Sequence, residues 1–301
     1  MRLVVTGRKG QVARALVERG RSAGVEVVCL ARPEIDLTEP EFVARAIEAT
    51  RGDVVINAAA YTAVDKAEAE PELAMQVNGE GARAVAAAAA MTGRPVVQIS
   101  TDYVFGGALD RPYREDDSVG PLGVYGRTKL AGEIAVATAN PRHVIARAAW
   151  VYSPFGHNFL KTMLRLGLTR DEVGVVADQW GAPTSALDLA DGLIAMARRL
   201  IAEPDNASLY GVFHATGSLY TSWAGFAATI FVQAAALGRR PVAVTPISTA
   251  QYPTPAARPA NSRLDSGKLR RVYGLTLPEW RGPAQDCVKR LILSPEADKQ
   301  S

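Results

Sequence analysis

The sequence predicts an α/β protein with a Rossmann-like, doubly wound parallel sheet and a smaller C-terminal lobe. Short runs rich in Val and Ile alternate with helical segments through the first half of the chain. After Trp150 the alternation loosens, and joints rich in Pro and Gly separate the remaining segments. Regular alternation of strand and helix requires right-handed crossovers, which place helices on both faces of a parallel sheet.

The individual elements follow from the hydrophobic pattern, because apolar runs without polar alternation are typical of strands buried on both faces. In the first half, strands are predicted at residues 3–6, 25–30, 54–57, 96–100 and 144–146. The helices between them are predicted at residues 11–21, 39–50, 72–91 and 125–138. In the second half we expect helices at residues 157–166, 186–200 and 223–236 and strands at 173–176, 212–215 and 242–244.

Composition and charge exclude several classes of function. Among the 301 residues, 34 basic and 31 acidic side chains give a net charge of +3, so the chain is not a generally basic nucleic-acid-binding protein. The N-terminal apolar run is too short for a secretory signal, and no segment approaches the ~20 apolar residues of a membrane span. Cys29 and Cys287 lack metal-binding spacing and are expected to be reduced, packed thiols. We therefore expect a cytoplasmic protein without membrane or nucleic-acid partners.

A glycine-bearing turn follows the first predicted strand and opens the first helix. Gly7 and Gly10 allow a tight turn in which backbone amides approach a dinucleotide pyrophosphate, whose charge is favoured at a helix N-terminus. The third small position is Ala13, which still permits close packing of helix on strand. A plain strand–turn–helix junction is the alternative interpretation. The position of the motif at the start of an α/β chain favours the dinucleotide.

The end of the second predicted strand indicates which dinucleotide binds. NAD-binding proteins normally place a carboxylate there for the ribose hydroxyls, whereas this strand is followed by Ala31 and Arg32. Arg32, with Arg8 or Lys9, is positioned to receive a 2′-phosphate, so NADPH is the predicted cofactor and NADH is left open. The alternative is that these are solvated surface cations.

Two further segments are candidate cofactor contacts. Asp36 and Leu37 are candidates for contact with the adenine end. Residues 57–61 end a strand in small side chains, so that backbone near Ala59 and Ala60 can lie against a flat cofactor at the carboxyl edge of the sheet.

Three residues carry the predicted chemistry. Tyr125 and Lys129 are spaced i,i+4 on one helix and share a face, and Thr101 ends a preceding strand. Hydride delivery to a ketone leaves an alkoxide that needs a proton, and a free tyrosine has a pKa of about 10. We expect the Lys129 ammonium to lower the pKa of Tyr125 and the Thr101 hydroxyl to bind the carbonyl oxygen. A packed tyrosine beside an exposed lysine is the alternative.

Longer blocks of sequence are more specific than this spacing. They are residues 57–68 (Asn-Ala-Ala-Ala-Tyr-Thr-Ala-Val-Asp-Lys-Ala-Glu), 100–105, 125–133, 178–184 (Asp-Gln-Trp-Gly-Ala-Pro-Thr) and 258–264 (Arg-Pro-Ala-Asn-Ser-Arg-Leu). With these blocks the chain resembles the extended short-chain dehydrogenases, and within them the dTDP-4-dehydrorhamnose reductases, nearly end to end. One departure is Ala148-Ala149 before Trp150, where that family commonly has Thr-Ser.

The resemblance implies an enzyme that reduces the C4 keto group of dTDP-4-dehydro-6-deoxy-L-mannose to dTDP-L-rhamnose with NADPH. It implies that Tyr125 donates the proton and that Lys129 also binds the nicotinamide ribose. The implied cofactor contacts are Gly7, Gly10, Gln11, Val12, Asp36, Leu37, Ala59, Ala60, Tyr61 and Thr62. The implied substrate contacts are Thr101, Asp102 and Trp150, and a nucleotide diphosphate also needs polar or cationic contacts, for which Arg258 and Asn261 are candidates.

The predicted organisation is an NAD(P)-binding core over residues 1–150 and a mainly substrate-binding lobe over residues 151–301, with some segments returning to the core. No metal site is predicted, because the three histidines form no cluster. The resemblance leaves a homodimer open. Two other functions are also left open: reduction of another nucleotide 4-keto-6-deoxysugar, and a non-catalytic role like that of the regulatory subunit of methionine adenosyltransferase.

Overall fold

The computed structural model describes residues 1–294, and the last residues of the predicted second lobe, 295–301, lie outside that range. The strands are β1 (Arg2–Thr6), β2 (Glu26–Leu30), β3 (Val54–Asn57), β4 (Val96–Thr101), β5 (His143–Ala148), β6 (Val151–Tyr152), β7 (Glu172–Val176), β8 (Trp180–Gly181), β9 (Thr184–Ser185), β10 (Gly211–His214), β11 (Thr221–Ser222) and β12 (Ala243–Ile247). The helices are α1 (Gln11–Ser22), α2 (Pro40–Ala49), α3 (Val64–Ala67), α4 (Pro71–Met75), α5 (Gly81–Met91), α6 (Val124–Ala139), α7 (Phe159–Leu166), α8 (Ala186–Ala202), α9 (Trp223–Ala235), α10 (Gly267–Tyr273) and α11 (Arg281–Leu293).

Six parallel strands form the central sheet in the order β10-β5-β4-β3-β1-β2. The chain leaves β1 toward one edge, to β2, and then crosses back to β3 on the other side of β1. A ligand-binding crevice is expected at the carboxyl end of the strands beside such a switch point. The predicted Rossmann-type fold is confirmed.

Alternation of side chains along the strands explains the two layers of helices. Leu3 and Val5 of β1 face a core shared with α1, α8 and α10, whereas Val4 between them faces a core shared with α2, α5 and α6. All three residues are fully buried. Because both faces are covered, the strands carry no polar alternation, which is the pattern on which the prediction rested.

The second half of the chain contributes to both parts of the molecule. β10 extends the central sheet beside β5, and α8 packs on α1. A separate core is built around α7, α9, α11 and the parallel pair β7–β12, with Phe226 and Trp280 at its centre. Two shorter pairings, β6–β9 and β8–β11, connect this lobe to the carboxyl end of the sheet.

Most predicted elements lie within two residues of their observed bounds, and β12 ends three residues later than predicted. The helical stretch predicted over residues 72–91 is confirmed as an unbroken run, but its type changes within it: α4 and α5 are joined by a π-helical segment, Gln76–Glu80. Asn78 of that segment is buried and bonds both the amide and the carbonyl of Tyr61, with distances of 2.8 and 3.1 Å. These tertiary hydrogen bonds accompany a local change of helix type that the Ala-rich pattern could not indicate.

Candidate active site

A cleft of about 940 Å³ opens at the carboxyl ends of the sheet strands. The glycine turn after β1 and the ends of β2 to β5 form one side, and residues 150–157 together with Trp223 form the other. Of the residues predicted from the sequence, the cleft is lined by Gly7, Gly10, Gln11, Val12, Arg32, Ala59, Ala60, Thr62, Thr101, Asp102, Tyr125, Lys129 and Trp150. One continuous space therefore joins the predicted cofactor end to the predicted catalytic end.

The glycine turn has the geometry that a pyrophosphate needs. Gly7 has φ +92°, a left-handed conformation that other residues adopt only with strain, and a Cβ built there would lie 3.5 Å from Ala59. Gly10 is the N-cap of α1 and supplies no side-chain cap. The first amides of this 12-residue helix are thus left for a ligand, and a dinucleotide phosphate fits them.

The two arginines at this end, Arg8 and Arg32, are exposed and already paired. Arg8 donates to Glu34 at 2.8 Å and to the carbonyl of Cys29 at 3.1 Å. Arg32, with 71% of its side chain exposed, lies 2.6 Å from Asp36, and this guanidinium lowers the pKa of Asp36 to about 2. Exposed pairs of this kind are weak, so a phosphate dianion can compete for both arginines.

Gln11 connects the glycine turn to the second half of the chain. Its amide donates to the Val151 carbonyl at 3.3 Å, and its carbonyl accepts hydrogen bonds from Ser153 at 2.7 Å and Asn158 at 3.0 Å. Asn158 also caps α7 by accepting from the amide of Lys161. These bonds hold the wall of the cleft formed by residues 151–157 against the cofactor turn.

The start of α6 places Tyr125 beside Thr101. The Glu68 carboxylate accepts the amide hydrogen of Val124 at 2.8 Å and so caps the helix from another segment. Gly126 lets the helix approach the turn after β4, since a Cβ there would lie 2.3 Å from the Tyr103 carbonyl. The Thr101 and Tyr125 side chains then both line the cleft.

The predicted lowering of the Tyr125 pKa by Lys129 was wrong for the protein without ligands. Burial raises the pKa of Tyr125, and the nearby Asp102 carboxylate raises it further. Lys129 instead donates to the Ile99 carbonyl at 2.6 Å, and burial lowers its own pKa to about 8. Desolvation disfavours both charged forms, an effect that helical spacing alone could not indicate.

Asp102 and Tyr103 add two polar groups beside Tyr125. Asp102 is buried, and burial raises its pKa to about 6; among the described residues its Oδ2 atom has no hydrogen-bond partner. Tyr103 lines the cleft and packs edge-on against Tyr125, with ring centroids 5.5 Å apart. Tyr103 was not predicted as a site residue, although it adjoins Thr101 and Asp102 in the sequence.

Two stacked indoles form the opposite wall. Trp150 lies parallel to Trp223, with centroids 3.5 Å apart and planes 9° apart, and its backbone has a positive φ of 49°. Such strain in a non-glycine residue is common at functional sites. Trp223 was missed because only tertiary packing brings α9 to the cleft. Of the two alanines that stand where the family commonly has Thr-Ser, Ala148 lines the cleft, whereas Ala149 is buried in an apolar cluster against which Trp150 also packs.

Five of the predicted residues do not line the cleft. Asp36 bonds Arg32 and Thr38, and Leu37 is buried in the core beneath α5. The Tyr61 hydroxyl donates to Glu70 at 2.7 Å. The remaining two lie in the Pro-rich loop: Arg258 pairs with Asp65 at 2.9 Å, and the Asn261 amide donates to the carbonyls of Leu109 and Arg111. Their ligand contacts stay predictions.

Arg258 lies near Tyr103, and its positive charge partly offsets the rise that burial gives to the pKa of Tyr103. It is thus one side chain away from the cleft. Within residues 1–294 no group of three or more His, Cys, Asp or Glu side chains is arranged to hold a metal ion. No helix in that range is long and apolar enough to span a membrane.

The fold and site define a Rossmann-type oxidoreductase of the short-chain dehydrogenase class, with a cofactor turn and a Thr-Tyr-Lys group in one cleft. Residues 1–293 match the model of the family described as the RmlD substrate binding domain. The chain belongs to this family.

Relatives in this family are similar over nearly their whole length. A dTDP-4-dehydrorhamnose reductase of Sinorhizobium fredii is 50% identical over 293 residues, which cover 97% of this chain and 98% of the relative. Among solved structures, a dTDP-4-dehydrorhamnose reductase of Clostridium acetobutylicum is 40% identical with a TM-score of 0.88, covering 97% of this chain and 99% of the other. The Bacillus anthracis enzyme in complex with NADP is 36% identical with a TM-score of 0.86, covering 95% and 98%.

Proposed function

We propose that this protein reduces the C4 keto group of dTDP-4-dehydro-6-deoxy-L-mannose with NADPH, forming dTDP-L-rhamnose. The observation that carries the proposal is the placement of Thr101, Tyr125 and Lys129 in the same cleft as the glycine turn and Trp150. Relatives with 40% to 50% identity over most of this chain carry the name of that reaction. The NADP in the Bacillus anthracis structure supports the choice of cofactor.

The chain's own residues would hold the cofactor through three sets of contacts. We propose that the amides after Gly10 hold the pyrophosphate, that Arg8 and Arg32 hold the 2′-phosphate, and that Lys129 holds the nicotinamide ribose. NADPH supplies the hydride for the C4 carbon when it is bound. The small residues Ala58, Ala59 and Ala60 let the backbone lie close to the cofactor.

The proton for the new hydroxyl comes from Tyr125 in this proposal. As C4 gains the hydride, its oxygen takes up negative charge, and the Thr101 and Tyr125 hydroxyls stabilise that charge by hydrogen bonding. Tyr125 then gives its proton to the oxygen, while the Lys129 ammonium holds the nicotinamide ribose beside it. Solvent returns the proton through the open side of the cleft.

We propose that residues 1–150 form the cofactor core and residues 151–301 mainly the substrate lobe, with β10, α8 and α10 returning to the core. The Trp150–Trp223 stack then offers a flat apolar platform for the deoxysugar. A homodimer and a cytoplasmic location also stay predictions, and light scattering of the purified protein tests the first.

The decisive experiment follows NADPH absorbance after the purified protein is mixed with the keto sugar, with NMR of the product. The expected result is oxidation of NADPH that depends on the sugar, with rhamnose stereochemistry at C4. A different C4 epimer would identify another nucleotide-sugar reductase. No turnover, with both ligands bound, would indicate a binding subunit and would contradict the proposal.

A further inference from the structure

The face of α6 that carries Tyr125 and Lys129 continues to a third polar residue. Glu133 follows Lys129 by one helical turn, so all three side chains point toward the same side of the helix. Glu133 is 3% exposed and Lys129 is 4% exposed. A buried carboxylate is costly unless it is paired and hydrogen-bonded, so its presence here requires an explanation.

Glu133 is held by two neighbouring strands. The Ser100 hydroxyl on β4 donates to its carboxylate at 2.5 Å, and Arg147 on β5 makes two hydrogen bonds at 2.9 and 2.6 Å. Lys129 is bonded to the Ile99 carbonyl, on the residue just before Ser100. The ammonium and the carboxylate are therefore fixed at adjacent positions of the strand that ends in Thr101.

Glu133 is the main negative charge that acts on the Lys129 ammonium. Among the described residues, Arg147 pairs with Glu133 and is itself a cation, and the nearby His214 is neutral because burial lowers its pKa to about 3. Asp102, on the turn after β4, acts on Tyr125 and Tyr103. Burial favours the uncharged form of Lys129, and the Glu133 carboxylate opposes it.

We infer that Glu133 is a positioning residue of the active site, whose buried carboxylate keeps Lys129 a charged ammonium next to Tyr125. The inference rests on the proposed function for its kinetic consequence, but the state of Lys129 is measurable without any ligand. Removal of the Glu133 charge leaves two buried cations, and the lysine is the one that can lose its proton, because an arginine in a protein cannot.

The direct test is ¹³C NMR of the lysine ε-carbons in the ligand-free protein, titrated with pH, with the Lys129 signal assigned by its loss in Lys129→Arg. In Glu133→Gln, which preserves shape, we expect the pKa of Lys129 to fall by about one unit or more. Glu133→Asp keeps the charge and should restore most of the shift. Glu18→Gln removes a two-bond pairing of a carboxylate with an arginine elsewhere, with the partly exposed Arg290 on α11, and should leave Lys129 unchanged.

A second variant keeps the inference testable if Glu133→Gln does not fold. Arg147→Met removes the competing cation, so the Lys129 pKa should rise, in the opposite direction. If the Glu133–Arg147 pair were purely structural, both variants would be less stable, and the pKa of Lys129 would not shift in opposite directions. An unchanged Lys129 titration in either folded variant overturns the inference.

The pH dependence of kcat/KM then shows whether the charge on Lys129 affects turnover. With a pKa near 8 in the wild type and near 7 in Glu133→Gln, kcat/KM should fall about fivefold at pH 8 and little at pH 6. An equal loss at every pH would overturn the inference. Absence of wild-type turnover would instead count against the proposed function, while the NMR titration would still decide the role of Glu133.

Discussion

The two ends of the cleft hold their charges in opposite ways. At the cofactor end Arg8 and Arg32 are exposed by 48% and 71% and form surface pairs. At the catalytic end Glu133 and Arg147 have only 4% of each side chain exposed and are joined by two hydrogen bonds. Surface pairs contribute about 0–1 kcal/mol and exchange partners, whereas breaking a buried pair costs about 3–5 kcal/mol.

This difference indicates that the two ends of the cleft have different roles, cofactor binding at one end and proton transfer at the other. Exposed, exchangeable cations suit a ligand that must bind and leave in every cycle, because a phosphate can replace the carboxylate partners. Buried, fixed charges suit a proton donor whose surroundings must stay constant through the reaction. We therefore expect substitutions at the catalytic end to change turnover and substitutions at the cofactor end to change cofactor choice.

The largest effect is expected from Tyr125→Phe, which removes the proton donor and keeps the ring. Positioned proton transfer contributes about 10²–10⁴-fold, so kcat should fall by about two orders of magnitude or more. Steady-state kinetics at saturating NADPH and keto sugar measure it. Turnover near that of the wild type would remove Tyr125 from the mechanism.

Asp102→Asn tests whether the catalytic end is held at a cost to stability. The folded-state pKa of about 6 is above the usual 3.9, so folding is opposed once Asp102 ionises in the unfolded chain. That cost is absent at low pH, grows from about pH 4 to pH 6, and is complete above pH 6. The variant should gain up to about 3 kcal/mol of unfolding free energy at pH 8 and little at pH 4, by urea denaturation. A variant that is less stable at pH 8 would contradict this account.

Trp150→Ala should have the next largest effect. Loss of the indole platform should raise KM for the keto sugar and lower kcat/KM at least tenfold, or about 1.4 kcal/mol, while NADPH affinity stays nearly constant. Trp180→Ala is the matched control, since that indole is 47% exposed and is not part of the cleft lining. Loss of NADPH binding or of folding at ordinary temperature would make Trp150 a structural residue.

Arg32→Ala should have the smallest effect. Wild-type kcat/KM should favour NADPH over NADH by at least a few-fold, and the variant should lose much of that preference without a change in kcat for the preferred cofactor. Arg51→Ala, at an exposed position away from the cleft lining, serves as control. An unchanged preference in Arg32→Ala would show that Arg32 is only a surface cation.

The parts of the site that could be predicted are local. The Gly7–Gly10 turn and the Tyr125–Lys129 pair each lie on one turn or one helix, so residue spacing defines them. Trp223 and Glu133 were not predicted as site residues, because one reaches the cleft through packing of α9 and the other acts through partners on β4 and β5.

The error at Tyr125 has a related cause. Spacing indicated that Lys129 is near, but the pKa depends on how much water the fold removes from both groups, and that is a property of the assembled core. The π-helical segment within the helix over residues 72–91 could not be predicted for a similar reason. Asn78 makes its bonds to Tyr61 only in the folded chain.

The claim that one end of the cleft sets NADPH binding and the other sets turnover is tested most directly by measuring kcat and the NADPH dissociation constant together in Tyr125→Phe. Calorimetric titration of the variant with NADPH gives the dissociation constant, and turnover with the keto sugar gives kcat. We expect a dissociation constant within about threefold of the wild type and a kcat at least about 100-fold lower. A parallel loss of NADPH binding and turnover would contradict it, because one end of the cleft would then be setting both properties.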